Sequence, residues 1–242
     1  GRRQVAALEG TGRMLGLAFQ IHDDLLNAGS SLASLGKRAG TDAATDGQPT
    51  HGTSMAETIL RGLAAILESG NSSVRLLPVD VYGGNINATT FDVAKGISQA
   101  VREGATIINL SLGSEADPAY LRTLIQNASK QGVLFVAAAG NEPVTTPFYP
   151  AAYPEVVAAT AGDRRGNVAA YANRGDFVDV VAPGANFVYY NNRVYFVSGT
   201  SAAAAYVSGM AAGLANRSGA SLADVNAQIR KVLAVPAGKP KP

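Results

Sequence analysis

Between residues 74 and 182, short β-rich and mainly apolar runs alternate with stretches of helical periodicity, and this alternation constrains the fold more than any other feature. The apolar runs lie at 74–81, 106–110, 133–139, 156–160 and 177–182. Between the first two, Phe91, Ala94, Ile97, Ala100 and Val101 recur at helix spacing, and a second helix is predicted over 119–130, directly after Pro118. A strand that is apolar on both faces must be covered on both. The pattern therefore predicts an α/β fold, a mostly parallel sheet with helices on both faces. Two more helices are predicted at 201–215 and 221–233, and the Pro/Lys-rich tail 236–242 reads as frayed. In such sheets function gathers at the carboxyl ends of the strands.

With 47% hydrophobic residues the 242-residue chain can build a full core, and 16% charged residues is too few for extensive disorder. The formal charge of +2 comes with no Lys/Arg stripe interleaved with aromatics, which argues against nucleic acid as a partner. The absence of cysteine removes disulfides, thiolate metal sites and a cysteine nucleophile. No apolar run reaches the length of a membrane span. The chain opens on Gly1-Arg2-Arg3 with no signal-peptide pattern, and reads as a trimmed or partial product.

Three short islands carry the chemistry. In Gly199-Thr200-Ser201, followed by Ala202 to Ala205, a glycine turn enters a helix of small residues. The serine hydroxyl there sits where free N–H groups and the helix dipole favour negative charge, as a nucleophile that must stabilise an oxyanion requires. An N-cap is the commoner use of such a serine. His51-Gly52-Thr53 precedes Met55, Ile59, Leu63, Ile66 and Leu67 at helical spacing, so His51 starts a helix, where a lone histidine is more often a cap or surface residue. In Ala137-Ala138-Ala139-Gly140-Asn141 an apolar strand ends in Gly-Asn, and Asn141 can cap a turn or donate its amide to an oxyanion.

Together, and in this order, the islands resemble the subtilisin-like serine peptidases, the subtilases. His51 lies 90 positions before Asn141 and 150 before Ser201. Ile108-Asn109-Leu110-Ser111-Leu112-Gly113 resembles the family's substrate-binding strand and the wall of its primary specificity pocket. Phe148 to Pro154, with Val156-Val157-Ala158, resembles the segment after the oxyanion asparagine, with a cis peptide expected at Tyr149-Pro150. Val180-Val181-Ala182-Pro183-Gly184 matches the strand leading to the serine loop, and the resemblance covers residues 48–215. It implies Ser201 as nucleophile, His51 as general base and acid, and Asn141 with the Ser201 N–H as oxyanion hole. It further implies that Ser111, Leu112 and Gly113 bind an extended peptide as an added strand. No cofactor is required, calcium enters only by family resemblance, and an extracellular location is favoured on the same ground. The expected partner is a peptide or protein substrate.

The chain departs from the family in two places. Ala205-Tyr206 stands where subtilases carry proline and histidine, which implies a local packing change rather than a loss of chemistry. The triad aspartate has no recognisable signature before His51. Asp42 and Asp46 are too close to leave room for an intervening strand, and Asp23, 28 positions upstream of His51, is the candidate that spacing allows. A first strand over 19–23 would put Gln20 and His22 into a buried parallel strand. Met14, Leu15, Ala18, Ile21, Leu25 and Leu26 recur instead at helix spacing. Residues 15–26 also resemble the second aspartate-rich helix of polyprenyl (isoprenyl diphosphate) synthases, and 35–42 continues that likeness, which covers about residues 10–46 in all. In that family such carboxylates hold magnesium against a diphosphate. Here Asn27 replaces the last carboxylate and the first aspartate-rich motif is lacking.

The expected organisation is a helical segment at 1–46, a subtilisin-like peptidase domain at 47–235 and the tail. Three functions follow as expectations: a serine endopeptidase, impaired if the aspartate is missing; a pseudopeptidase that binds extended peptides; and a diphosphate-binding N-terminal module using Asp23 and Asp24.

Overall fold

A computed structural model describes residues 48–67, 72–83, 85 and 87–234, together with the backbone of 15–20. Six parallel strands form the main sheet: β1 (Leu15–Gln20), β2 (Val74–Val79), β3 (Ala105–Leu110), β4 (Leu134–Ala138), β5 (Val156–Gly162) and β6 (Val180–Pro183). Their spatial order is β2-β1-β3-β4-β5-β6. Chain direction across the sheet reverses at β1, so the crevice for a ligand lies outside the carboxyl ends of β1, β3 and β4.

The predicted parallel sheet with helices on both faces is the fold observed. Helices α1 (His51–Ala64), α4 (Thr200–Ser218) and α5 (Leu222–Val232) cover one face, with Met55, Ile59, Ala203, Val207 and Ile229 in that core. Helices α2 (Thr90–Arg102) and α3 (Ala119–Lys130) cover the other, with Ile97, Leu121, Ile125 and Phe135 buried there. Phe135, Val136 and Ala137 are fully buried, which is why β4 reads as an unbroken apolar run. Salt-bridged Asp179 and Arg230 tie α5 to β5: Asp179 accepts from the Ala158 N–H (2.8 Å) and Arg230 donates to the Val156 carbonyl (2.9 Å).

The helical reading of the N-terminal segment fails for Leu15–Gln20, which form a strand. Leu17 pairs with Leu76 of β2 on one side and Ile107 of β3 on the other. Without β1, both neighbours would present unpaired rows of N–H and C=O groups inside the sheet, and satisfying two strand edges outweighs a local helical period. The strand ends at Gln20, so it is not the 19–23 segment considered from sequence.

An antiparallel hairpin, β7 (Ala185–Tyr190) and β8 (Arg193–Ser198), forms a separate two-stranded sheet. Asn191 and Asn192 turn it with φ of 47° and 59°, the left-handed pair that a two-residue hairpin loop demands. The Asn186 amide donates to Thr58 Oγ1 (2.9 Å), which seats β7 on α1. The Tyr149-Pro150 peptide is cis, as the resemblance implied.

Candidate active site

Helices α1 and α4 approach so closely that backbone meets backbone. A Cβ on Gly209 would lie 2.0 Å from the Ile59 carbonyl oxygen, and one on Gly62 would lie 2.1 Å from that of Tyr206. Only glycine permits this contact, and it fixes the register of two helices that run in the same direction. Ile59 and Gly209 are 150 positions apart, as are His51 and Ser201. The register set in the middle of the pair thus brings the first turns of both helices to the same end. His51 opens α1 there with an exposed side chain, and Thr50 caps the helix by accepting from the Thr53 N–H.

Ser201 lies in the first turn of α4, behind Gly199 at φ +144°, and Ala202 to Ala205 are buried against the sheet. The N–H groups of this turn have distinct partners. That of Thr200 donates to Asn141 Oδ1 (2.9 Å) and that of Ala202 to the Gly199 carbonyl (3.1 Å). The Ser201 N–H is left as the donor available to new negative charge. Asn141 follows the end of β4. Its Oδ1 also accepts from Thr200 Oγ1 (3.1 Å), and that hydroxyl in turn accepts from the Gly140 N–H (3.1 Å). With the amide oxygen committed, Nδ2 is the end that Asn141 offers outward. A Cβ at Gly199 would lie 3.6 Å from both Asn141 Nδ2 and Oδ1 and 3.8 Å from the Ser201 nitrogen. The Asn141 amide and the Ser201 nitrogen therefore border the same space at Gly199.

Ser111 continues β3 beyond its paired part. Its carbonyl accepts from Ser201 Oγ at 3.4 Å, and its buried hydroxyl donates to the Ser201 carbonyl at 3.0 Å. Leu112 is half-buried and Gly113 exposed. Phe148 lies against Gly113, and Ser114 exchanges two backbone bonds with Tyr149 (2.8 and 2.7 Å). Ser111, Leu112 and Gly113 thus leave the sheet beside the serine. Ser201, Asn141 and Ser111 are joined by direct hydrogen bonds or through Thr200, and His51 stands at the same helix end. Asp23 and Asp24 lie outside the described residues, as does the tail beyond 234.

Thr200 and Asn173 had no role in the sequence reading. Asn173, buried, accepts from the Glu142 N–H through Oδ1 (2.7 Å) and donates its own N–H to the Gly140 carbonyl (2.9 Å), so it holds the Asn141 turn from below. Its only sequence signal is an asparagine before Arg174-Gly175, too common to single out. Among the described residues no group of three His, Asp or Glu side chains is placed to hold a metal ion.

A parallel sheet presenting a helix-start serine, a helix-start histidine and an asparagine amide is the architecture of a serine peptidase domain. The subtilase family profile matches residues 27–239, and the chain belongs to that family. It is 38% identical over 177 residues to a thermophilic serine proteinase of Bacillus sp. (strain AK1), covering 69% of this chain and 43% of that protein. Thermitase of Thermoactinomyces vulgaris is 34% identical over 189 residues, 74% of this chain and 65% of that protein. The chain therefore spans less than two thirds of the length of either relative. Among solved structures, the protease domain of PatA superposes with a TM-score of 0.68 at 27% identity, over 91% of this chain and 82% of that one.

Proposed function

We propose that the protein is a serine endopeptidase that hydrolyses peptide bonds through an acyl-enzyme. The observation that carries this reading is that the Asn141 amide, its Oδ1 held by Thr200, and the Ser201 nitrogen border one space at Gly199, in the turn that carries the Ser201 hydroxyl. A substrate strand lies along Ser111 to Gly113 with its scissile carbonyl oxygen in that space. Ser201 Oγ attacks the carbonyl carbon as His51 takes its proton, and the two donors stabilise the oxyanion. The intermediate collapses, the C–N bond breaks, and His51 returns the proton to the leaving amine. Water then attacks the ester by the same route and releases Ser201. The side chains suffice for this chemistry without a cofactor.

Asp23 supplies the carboxylate that orients His51. Supporting this, β1 is an inner strand of the sheet, parallel to its neighbours, and ends at Gln20, three positions before Asp23. The likeness of about residues 10–46 to polyprenyl synthases adds no second activity to this reading, since the first aspartate-rich motif of that family is lacking.

Labelling with a fluorophosphonate tests the reading. The native chain should label rapidly and Ser201→Ala not at all. Folded native protein that does not label would instead be a peptide-binding pseudopeptidase.

A further inference from the structure

Beneath the site, three buried side chains form a directed hydrogen-bond chain. Ser208 of α4 and Asn109 of β3 are both fully buried, and Ser208 Oγ lies 3.1 Å from Asn109 Oδ1. Asn109 Nδ2 donates to Ser111 Oγ at 2.9 Å, and Ser111 Oγ donates to the Ser201 carbonyl at 3.0 Å. The direction is forced. The single proton of Ser111 is spent on the Ser201 carbonyl, so the bond from Asn109 must come from its NH2 end, which turns Oδ1 toward Ser208. The Ser208 proton lies between Asn109 Oδ1 and the Ala204 carbonyl (2.9 Å). A buried amide in an otherwise apolar strand costs stability unless it is satisfied, and here both ends are.

Resting on the endopeptidase reading, we propose that Asn109 is a positioning residue: with Ser208 and through the Ser111 hydroxyl, it holds the Ser201 peptide in place against the substrate-binding strand. The chain links α4, which carries the nucleophile and its oxyanion N–H, to β3, which leads into the Ser111–Gly113 segment that takes the substrate strand in this reading. An error in the distance between them is an error in the attack geometry, to which rate is steeply sensitive. Asn109 touches neither substrate nor reacting atoms and acts only through Ser111.

The test compares Asn109→Ala, Ser208→Ala, Ser111→Ala and the Asn109→Ala/Ser111→Ala double variant. Activity toward a chromogenic peptide is expressed per site titrated by fluorophosphonate. Asn109→Ala and Ser111→Ala should each lower kcat about tenfold, the equivalent of one hydrogen bond. KM should stay within twofold for Asn109→Ala. The double variant should be no slower than the slower single one, because both break the same chain. Ser208→Ala, which removes one atom, should lower kcat severalfold and decides the matter if Asn109→Ala does not fold. An Asn109→Ala enzyme that melts earlier but keeps native kcat per titrated site, or effects that multiply in the double variant, would overturn the proposal. A second readout needs no turnover: the Ser201 amide resonance should shift in Ser208→Ala, although position 208 is two helical turns away. If that resonance does not move, the relay is wrong whatever the native chain catalyses; failure of the native chain to label refutes only the endopeptidase reading.

Discussion

The Asn141 side chain shows how one amide is given a single orientation. Two bonds from Thr200 to Oδ1 leave Nδ2 as the only end that can meet an oxyanion. Asn141→Leu keeps the volume and removes the donor. It should lower kcat by roughly 10²–10³ with KM within twofold, because the bond strengthens only in the transition state. A comparable rise in KM would place Asn141 in ground-state binding. Asp23→Asn should lower kcat by roughly 10⁴, the scale of the same loss in subtilisin. Asp24→Asn should leave it unchanged, and steady-state kinetics on the pair decides which carboxylate serves His51. Ser201, His51, Asn141 and Ser111 are legible in the sequence because each stands in a short contiguous motif. Thr200 and Asn109 stand in the same motifs but, like Asn173, acquire their roles from partners 31 to 99 positions away, which no local pattern shows.

The contact between α1 and α4 is the element-scale device that assembles the site. Gly209→Ala drives a methyl group into the Ile59 carbonyl, so the helices must separate. The expected cost is about 1–3 kcal/mol of overpacking, with kcat lowered as well, since His51 and Ser201 ride on the two helices. Ser221→Ala provides the contrast. It removes the cap that accepts from the Asp224 N–H on α5, beyond the C-terminal end of α4. It should cost about 1 kcal/mol and leave kcat intact. Thermal melts and kinetics on both variants separate stability from assembly. If Gly209→Ala melts early but keeps full kcat, the register argument fails. The helices around these contacts were readable from periodicity, but β1 and the β7–β8 hairpin were not. β1 carries apolar residues that also fit a helix, and its neighbours in the sheet decide between the two. The hairpin starts directly after β6, with only Gly184 between the two strands.

At the scale of the whole molecule, stability should depend on pH through Glu57, half-buried on α1. Burial pushes its carboxyl pKa up, and Arg61, 3.8 Å away, pulls the other way with less effect. A raised carboxylate pKa means that the folded state holds the proton more tightly than the unfolded one. Folding stability is therefore greatest below the ordinary carboxylate range, falls as pH rises through the unfolded and then the folded pKa, and stays reduced above it. Glu57→Gln should raise Tm at pH 8 and make little difference at pH 3. A lower Tm at pH 8 would mean that the ion pair with Arg61 outweighs burial, contrary to the usual worth of exposed pairs.

The sequence by itself determined the layered α/β architecture, because apolar periodicity dictates which faces must be buried. It also pointed to the candidate site residues, because the helix-start serine and histidine and the strand-end asparagine are each written in contiguous residues. Only the tertiary structure decided that residues 15–20 complete the sheet, that two glycines set the register of the helices that begin with His51 and Ser201, and that Ser208 reaches Asn109. These are contacts between segments far apart in the chain, and their energies come from satisfying a partner's backbone or filling its space, which no local window of sequence contains.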